Sequence, residues 1–499
     1  MRDNRTVPDV PVAMTPAQFR AAGHELVDTI ADFIDGLPQQ RVAPEGGPAD
    51  MRALIGGDRS LPEHGADPRA LLGTAARLLF DNSTFNAHPR FFGYITASPT
   101  PIGVLGDLLA SAVNANCGGW TLSPMATEIE AQTIRWIAEL IGYPRDCGGV
   151  LVSGGNVANF TCFLAARAAR ARWNIREHGL RADDAAQLTV YASAETHTWI
   201  QKAADLYGLG TDAIRWIPTD ADLRMDAAAL RRTIDADVAA GYQPMLVAGT
   251  AGSVSTGAVD PLVEIATICR ERGIWFHVDG AYGAFAAALP DAHPDLRALA
   301  LADSVAVDPH KWLYAPLEAG CALVRDAAAL RNAFSYHPPY YHFGVEATNY
   351  VDFSQQNSRG FRALKVWLAL QHAGAAGYRK MIGDDVALSR RMHDAVSQHP
   401  DLEPFTQGLS ISTFRYVPRE LRAHVGEPDT EARLNALNQE LLDRLQKGGA
   451  AFVSNAVVRG TYLLRACIVN FNTVAADVDA LPAIVVEEGR RIPLDALSA

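Results

Sequence analysis

From Gly148 to Val324, short apolar runs alternate with stretches of helical periodicity. This alternation constrains the fold more than any other feature of the chain. The predicted strands are Val150–Val152, Leu188–Ala192, Met245–Ala248, Ile274–Val278, Ser304–Val307 and Cys321–Val324. Helical patterns fill the intervals, as in Ala227–Ala240 and Pro261–Arg272. Strands that alternate with helices over this length imply an α/β fold with a mostly parallel sheet covered on both faces. Such sheets bind ligands in the crevice at the carboxyl ends of their strands. With 499 residues and 48% apolar content, the chain can build a large core and more than one domain.

Charge and cysteine usage narrow the class. A formal net charge of −12 argues against nucleic acid as the main partner and leaves no basic membrane patch. The first ten residues lack an apolar leader core, and no run of eighteen apolar residues occurs, so the chain reads as soluble and cytoplasmic. The six cysteines are dispersed without a C-x-x-C pair, which points to reduced thiols, with neither a disulfide framework nor a metal site.

The flanks read differently. Thr15 and Pro16 open a helix carrying Phe19, Ala22, Leu26, Ile30 and Phe33 at helical spacing. Residues 37–67 are rich in Pro and Gly, and a second helix is predicted near Pro68–Phe80. An amphipathic arm of this kind calls for a partner surface, most simply a second subunit. Residues 101–143 read as two helices around a Gly118-Gly119-Trp120 turn. Residues 330–358 are aromatic and weakly periodic, as functional loops often are. A long helix from Arg359 to about Ala375 leads into a C-terminal region of mixed helices and strands. We therefore divide the chain into an N-terminal arm (1–95), a large α/β domain (96–372) and a small α+β domain (373–499).

Chemistry-bearing residues collect at the predicted strand ends. Ser153-Gly154-Gly155-Asn156 follows a strand and opens a helix, with Asn156 able to cap it. Glycines there let the backbone approach an anion, and the helix N-terminus supplies free N–H groups. His277-Val278-Asp279 places a carboxylate at the end of an apolar strand, where it needs a cation or donors. His197 follows a third strand. The stretch from Asp303 through Asp308-Pro309-His310-Lys311-Trp312 presents His310 and Lys311 together, and Lys311 is one of only five lysines. Lysine, unlike arginine, can shed its proton to act as a nucleophile. A phosphate cradle, an edge carboxylate, an imidazole and a lysine fit pyridoxal 5′-phosphate (PLP).

These motifs resemble those of the group II PLP-dependent amino-acid decarboxylases, the family of aromatic-L-amino-acid, histidine and glutamate decarboxylases. The resemblance rests on Ser304-Val305 spaced from Lys311-Trp312, on His310, on His277-Val278-Asp279, on His88-Pro89-Arg90-Phe91-Phe92, and on Ser123-Pro124 with Thr127-Glu128. It implies PLP fold type I, like aspartate aminotransferase, and a homodimer with interfacial active sites embraced by the N-terminal arm. It implies decarboxylation of an L-amino acid, aromatic favoured, to an amine and carbon dioxide. Lys311 would form the Schiff base, Asp279 would keep the ring nitrogen protonated, and His197 would stack on the ring. Gly154, Gly155, Asn156, Ser253 and His310 would bind cofactor, and Tyr340, favoured by register over Tyr341, would be the loop acid. Tyr94, Thr96 and Trp120 are the candidate substrate contacts. Around residues 118–120 and 249–254 the sequence departs from the aromatic decarboxylases, with a smaller pocket wall and fewer hydroxyls. Two alternatives stay open: a PLP-dependent carbon–carbon lyase or oxidative deaminating aldehyde synthase, and a non-catalytic scaffold.

Overall fold

The computed structural model describes residues 10–180, 186–336 and 347–494. Seven strands form the central sheet: β1 (Gly148–Val152), β2 (Leu188–Ser193), β3 (Ile214–Ile217), β4 (Gln243–Thr250), β5 (Trp275–Asp279), β6 (Ser304–Val307) and β7 (Gly320–Val324). Their spatial order is β1-β7-β6-β5-β4-β2-β3. The run from β6 through β5, β4 and β2 to β3 is parallel, and β7 lies antiparallel to both β6 and β1. The expected α/β architecture is therefore present. Strand β6 is buried at all four residues, which explains its continuous apolar character. Strand β3 escaped the sequence reading because Ile-Arg-Trp-Ile is short and half exposed at the sheet edge.

The register aligns the functional ends. Asp279 lies opposite Thr250 on one side and Ala306 on the other, so β4, β5 and β6 finish at one level. The Gly155–Arg170 helix leaves β1 at this edge and packs beneath β6 and β7.

A second sheet of order β10-β11-β9-β8 comprises β8 (Leu402–Gly408), β9 (Ile411–Tyr416), β10 (Ser454–Val458) and β11 (Thr461–Cys467), all antiparallel. It has its own core around Phe414, Leu437, Leu441, Leu464 and Val485. Phe92 belongs to that core, and the Phe92 N–H donates to the Phe452 carbonyl at 2.7 Å. The long helix begins at Ala363 rather than Arg359 and runs to Gln398, broken at Gly374 (φ 65°, ψ 170°). It thus spans from the first core to the second.

Arg359 is instead turned inward. Its guanidinium pairs with buried Glu130 at 2.5 Å and donates to the Leu151 carbonyl at 2.6 Å. Glu130 in turn accepts from the Leu151 N–H at 2.9 Å. Both guanidinium Nη atoms are engaged, while Nε has no partner among the described residues, and a buried pair of this kind fixes geometry more than it adds stability. Here it holds β1 two residues before the glycine turn.

The N-terminal helix Pro16–Gly36 starts at Thr15 with a capping box completed by Gln18. It packs on the Pro68–Asn82 helix, with Phe33 stacked on Phe80 at 4.1 Å. Only Ala22 of the first helix is buried. A short helix, Pro48–Ile55, lies within the Pro- and Gly-rich segment 37–67. All six cysteines are unpaired. Among the described residues no helix is long and apolar enough to cross a membrane.

Candidate active site

The strand ends enclose a cavity of about 320 Å³. Its lining includes Gly154, Gly155 and Asn156 from the turn after β1, His197 after β2, Thr250 of β4, Asp279 of β5, and Asp308, His310 and Lys311 after β6. Of the residues singled out in the sequence, the cavity thus gathers Gly154, Gly155, Asn156, His197, Asp279, His310 and Lys311.

The turn works through glycine. Gly154 sits at φ 152°, ψ 179°, a conformation L side chains rarely adopt. A Cβ on Gly155 would fall 2.7 Å from Asp308 Oδ2, and one on Gly320 of β7 would strike the Gly154 backbone at 2.5 Å. Bare backbone is therefore required on both sides of the turn. Gly154 is the cap of the following helix, with no side-chain hydrogen bond, so Asn156 does not cap it as the sequence suggested. The first amides of that helix are left free to hold an anion.

Lys311 Nζ lies 3.1 Å from Asp308 Oδ2. His310 Nε2 is 3.6 Å from the same oxygen, and His310 Nδ1 accepts from the Ala319 N–H at 3.1 Å. Burial lowers the His310 pKa, with Asp308 opposing and Lys311 reinforcing the shift. Asp308 was quoted in the sequence but given no role there. Its signal was its place, three residues before the lysine at a buried strand end.

Asp279 is 7% exposed, and its Oδ1 accepts from the Ala281 N–H at 3.2 Å. Behind it, His277 is locked between Ser304 Oγ (2.9 Å) and Asn159 Oδ1 (2.7 Å). Donation from Nε2 to Asn159 leaves Nδ1 to accept from the Ser304 hydroxyl, while Ser304 accepts from Trp275 Nε1 at 2.8 Å. Burial pushes the His277 pKa down to about 4, so the imidazole stays neutral. His197 Nδ1 accepts from the Trp199 N–H at 3.3 Å. Its pKa is lowered by desolvation, partly offset by the Asp279 charge.

Four residues fall elsewhere. Ser253 is buried beside the cavity without lining it, its hydroxyl bonded to Thr256 at 3.0 Å. Tyr94 is 57% exposed, and its carbonyl accepts from Arg465 Nη2 at 3.2 Å. Trp120 is 37% exposed, with Nε1 donating to Glu128 at 3.0 Å. Thr96 is half buried and outside the cavity lining, and its hydroxyl has no hydrogen-bond partner among the described residues. Tyr340 and Tyr341 lie outside the described residues.

This geometry agrees with comparison to known proteins. The pyridoxal-dependent decarboxylase conserved domain matches residues 48–417. The chain belongs to the pyridoxal-dependent decarboxylase family. It is 32% identical over 470 residues to an aromatic-L-amino-acid decarboxylase of Bacillus atrophaeus, covering 93% of this chain and 94% of that protein. It is 30% identical to a phenylacetaldehyde synthase of Petunia hybrida, covering 91% and 90%. Among solved structures, Oryza sativa TDC with PLP and tryptamine superposes with a TM-score of 0.88 at 28% identity, covering 96% and 99%. The architecture is accordingly PLP fold type I, the cofactor is PLP, and the chain is a PLP-dependent decarboxylase.

The residues present fit that cofactor. The glycine turn offers backbone to a phosphate where any Cβ would intrude. Two buried oxygens on cavity residues, Thr250 Oγ1 and Asp308 Oδ1, have no hydrogen-bond partner among the described residues. A near-buried carboxylate and a lysine occupy the same space.

Proposed function

We propose that this chain decarboxylates an L-amino acid, preferably an aromatic one, to the amine and carbon dioxide. The observation that carries this reading is the convergence of Lys311, Asp279 and His197 on one cavity above a glycine-turned helix N-terminus. The aromatic preference is supported by relatives that include aromatic-L-amino-acid and tyrosine decarboxylases.

PLP, when bound, supplies the electron sink that makes loss of a carboxylate from Cα accessible. The chain's own residues do the rest. The free amides of Gly155 and Asn156 hold the phosphate, with Gly154 leaving the approach open. Lys311 Nζ is the covalent anchor. Asp279 holds a proton at the ring nitrogen, and neutral His277 behind it neither competes for that proton nor adds a positive charge. His197 forms a wall of the cavity, its ring kept neutral by desolvation. Tyr340 returns a proton to Cα, a role worth typically ~10²–10⁴-fold.

Tyr94, Thr96 and Trp120 are proposed to meet substrate once two copies pair. Their place outside the cavity of their own chain suits a wall completed by a second subunit. Leu105, Leu108, Leu109, Val113, Leu122 and Met125, all exposed, supply an apolar surface for that pairing. The arm of residues 1–95 would embrace the partner, with the 96–372 and 373–499 parts forming the large and small domains.

The second reading, aldehyde formation by oxidative deamination, is favoured by the match to phenylacetaldehyde synthases. Product analysis separates the two. With L-phenylalanine, L-tyrosine, L-tryptophan and L-histidine as substrates, mass spectrometry is expected to find amine without aldehyde or hydrogen peroxide. Aldehyde as the main product would overturn simple decarboxylation.

A further inference from the structure

We propose that Asp308 shares one proton with the phosphate of bound PLP, so that loading the cofactor draws a proton into the cavity. The inference rests on the cofactor reading above and concerns a residue to which that reading gives no role.

Asp308 directly follows β6 and is only 2% exposed. Its Oδ2 faces Lys311 Nζ at 3.1 Å, while its Oδ1 has no hydrogen-bond partner among the described residues. The carboxylate is packed on the glycine turn, because a Cβ on Gly155 would lie 2.7 Å from Oδ2 and 3.3 Å from Cγ. The side chain therefore lies against the turn whose free amides attract anions, and it lines the same cavity. Beside that turn, Asp308 and Lys311 form an ion pair.

Cofactor loading changes both terms. A phosphate ester brings a second anion to the same helix terminus. Condensation of the Lys311 amine with the cofactor aldehyde forms a C=N bond and releases water, and it commits the ammonium that balanced Asp308. Two anionic groups sharing a buried site with one cation between them do not both stay ionised. They take up a proton that belongs to the pair.

The other titratable groups around Asp308 do not relieve this. His310, at 3.6 Å, is kept neutral by burial, and its Nδ1 is already engaged by Ala319. Across the cavity, His197 is also lowered by desolvation, and Asp279 adds negative charge. Beneath, the Cys321 thiol of β7 is held un-ionised by burial. Lys365 acts on His310 from its own pair with Asp107 at 3.0 Å, and Lys202 acts on His197, so among the described residues Lys311 is the cation paired with Asp308 itself. Asparagine in place of Asp308 would keep the shape and offer an N–H donor without a charge.

The test is calorimetric titration of PLP into the full-length protein and into Asp308→Asn, at pH 7.5, in two buffers of different ionisation enthalpy. The expected result is that wild type takes up about one more proton per site than the variant. Raising the pH by one unit should then weaken PLP binding to wild type about tenfold more than to Asp308→Asn. Pyridoxal, which lacks the phosphate, should show no such difference. Asp308→Ser provides the same comparison if Asp308→Asn does not fold. Equal proton counts, with binding that still depends on Lys311, would overturn this inference alone. A difference that persists with pyridoxal would also overturn it. Failure of PLP to bind, or binding unaffected by Lys311→Ala, would overturn the cofactor reading and this inference together.

Discussion

The cavity at the strand ends and the face carrying Tyr94 and Trp120 were both read as parts of one site, yet they are built in opposite ways. The cavity is finished within a single chain. Asp279, Asp308 and His277 are buried, and each has fixed partners on neighbouring strands or turns. The face is open. Tyr94, Trp120, Leu108, Leu109, Leu122 and Met125 are exposed, and neither Tyr94 nor Trp120 lines the cavity that holds Lys311. Cofactor chemistry needs charges held by a rigid sheet, and strand register supplies that locally. A substrate wall can be left for a second copy to complete. The contrast separates what one chain folds alone from what the proposed pairing would add.

Substitutions should act on the two regions independently. The largest effect is expected at the cavity. Asp279→Asn should lower kcat about 10²–10⁴-fold, the range for a positioned proton-holding group, while leaving assembly unchanged. Steady-state kinetics beside sedimentation velocity check both parts. A change in mass would break the separation of the two regions.

A charged pair on the open face should do the reverse. Leu108→Glu with Leu109→Glu should turn the proposed dimer into monomer and depress turnover. Absorbance should still report PLP held through Lys311. Retained dimer mass would show that this face is not the interface.

The smallest effect concerns the joint between the two cores. Asp385, on the long helix, accepts from Trp312 Nε1 at 2.9 Å and from the Tyr314 hydroxyl at 2.7 Å, and so holds the segment directly after Lys311. Burial raises its pKa to about 7. Between the unfolded carboxyl value near 4 and about 7, the folded chain keeps a proton that the unfolded chain has released. Stability from this group therefore falls as pH rises through that window, by on the order of a few kcal/mol. Asp385→Asn should flatten Tm against pH from 4 to 7. An unchanged slope would place the linkage elsewhere.

The sheet and the residues that line the cavity are legible because each is marked by a local pattern. A buried strand shows as a continuous apolar run, and a polar residue at its end stands out, as Asp279 and Lys311 do. The glycine turn was legible for the same reason, although its cap proved to be Gly154 rather than Asn156. What was missed depends on contacts far apart in sequence. Arg359 was read as the start of a helix, yet it pairs with Glu130 at a separation of 229 residues. Nothing in its neighbours marks that pairing. The helix runs past the end expected near Ala375 to Gln398, across a non-helical Gly374. Asp308 was in view but looked like part of a strand-to-turn boundary. Only the three-dimensional closeness of Gly155 and Lys311 gives it meaning.

The most direct test of the central claim is release of labelled carbon dioxide from carboxyl-labelled L-amino acids, with PLP supplied, for wild type beside Lys311→Ala. We expect release from at least one aromatic amino acid with wild type and none above background with Lys311→Ala. No release from any amino acid by a wild-type protein that binds PLP, or equal release by both proteins, would contradict it.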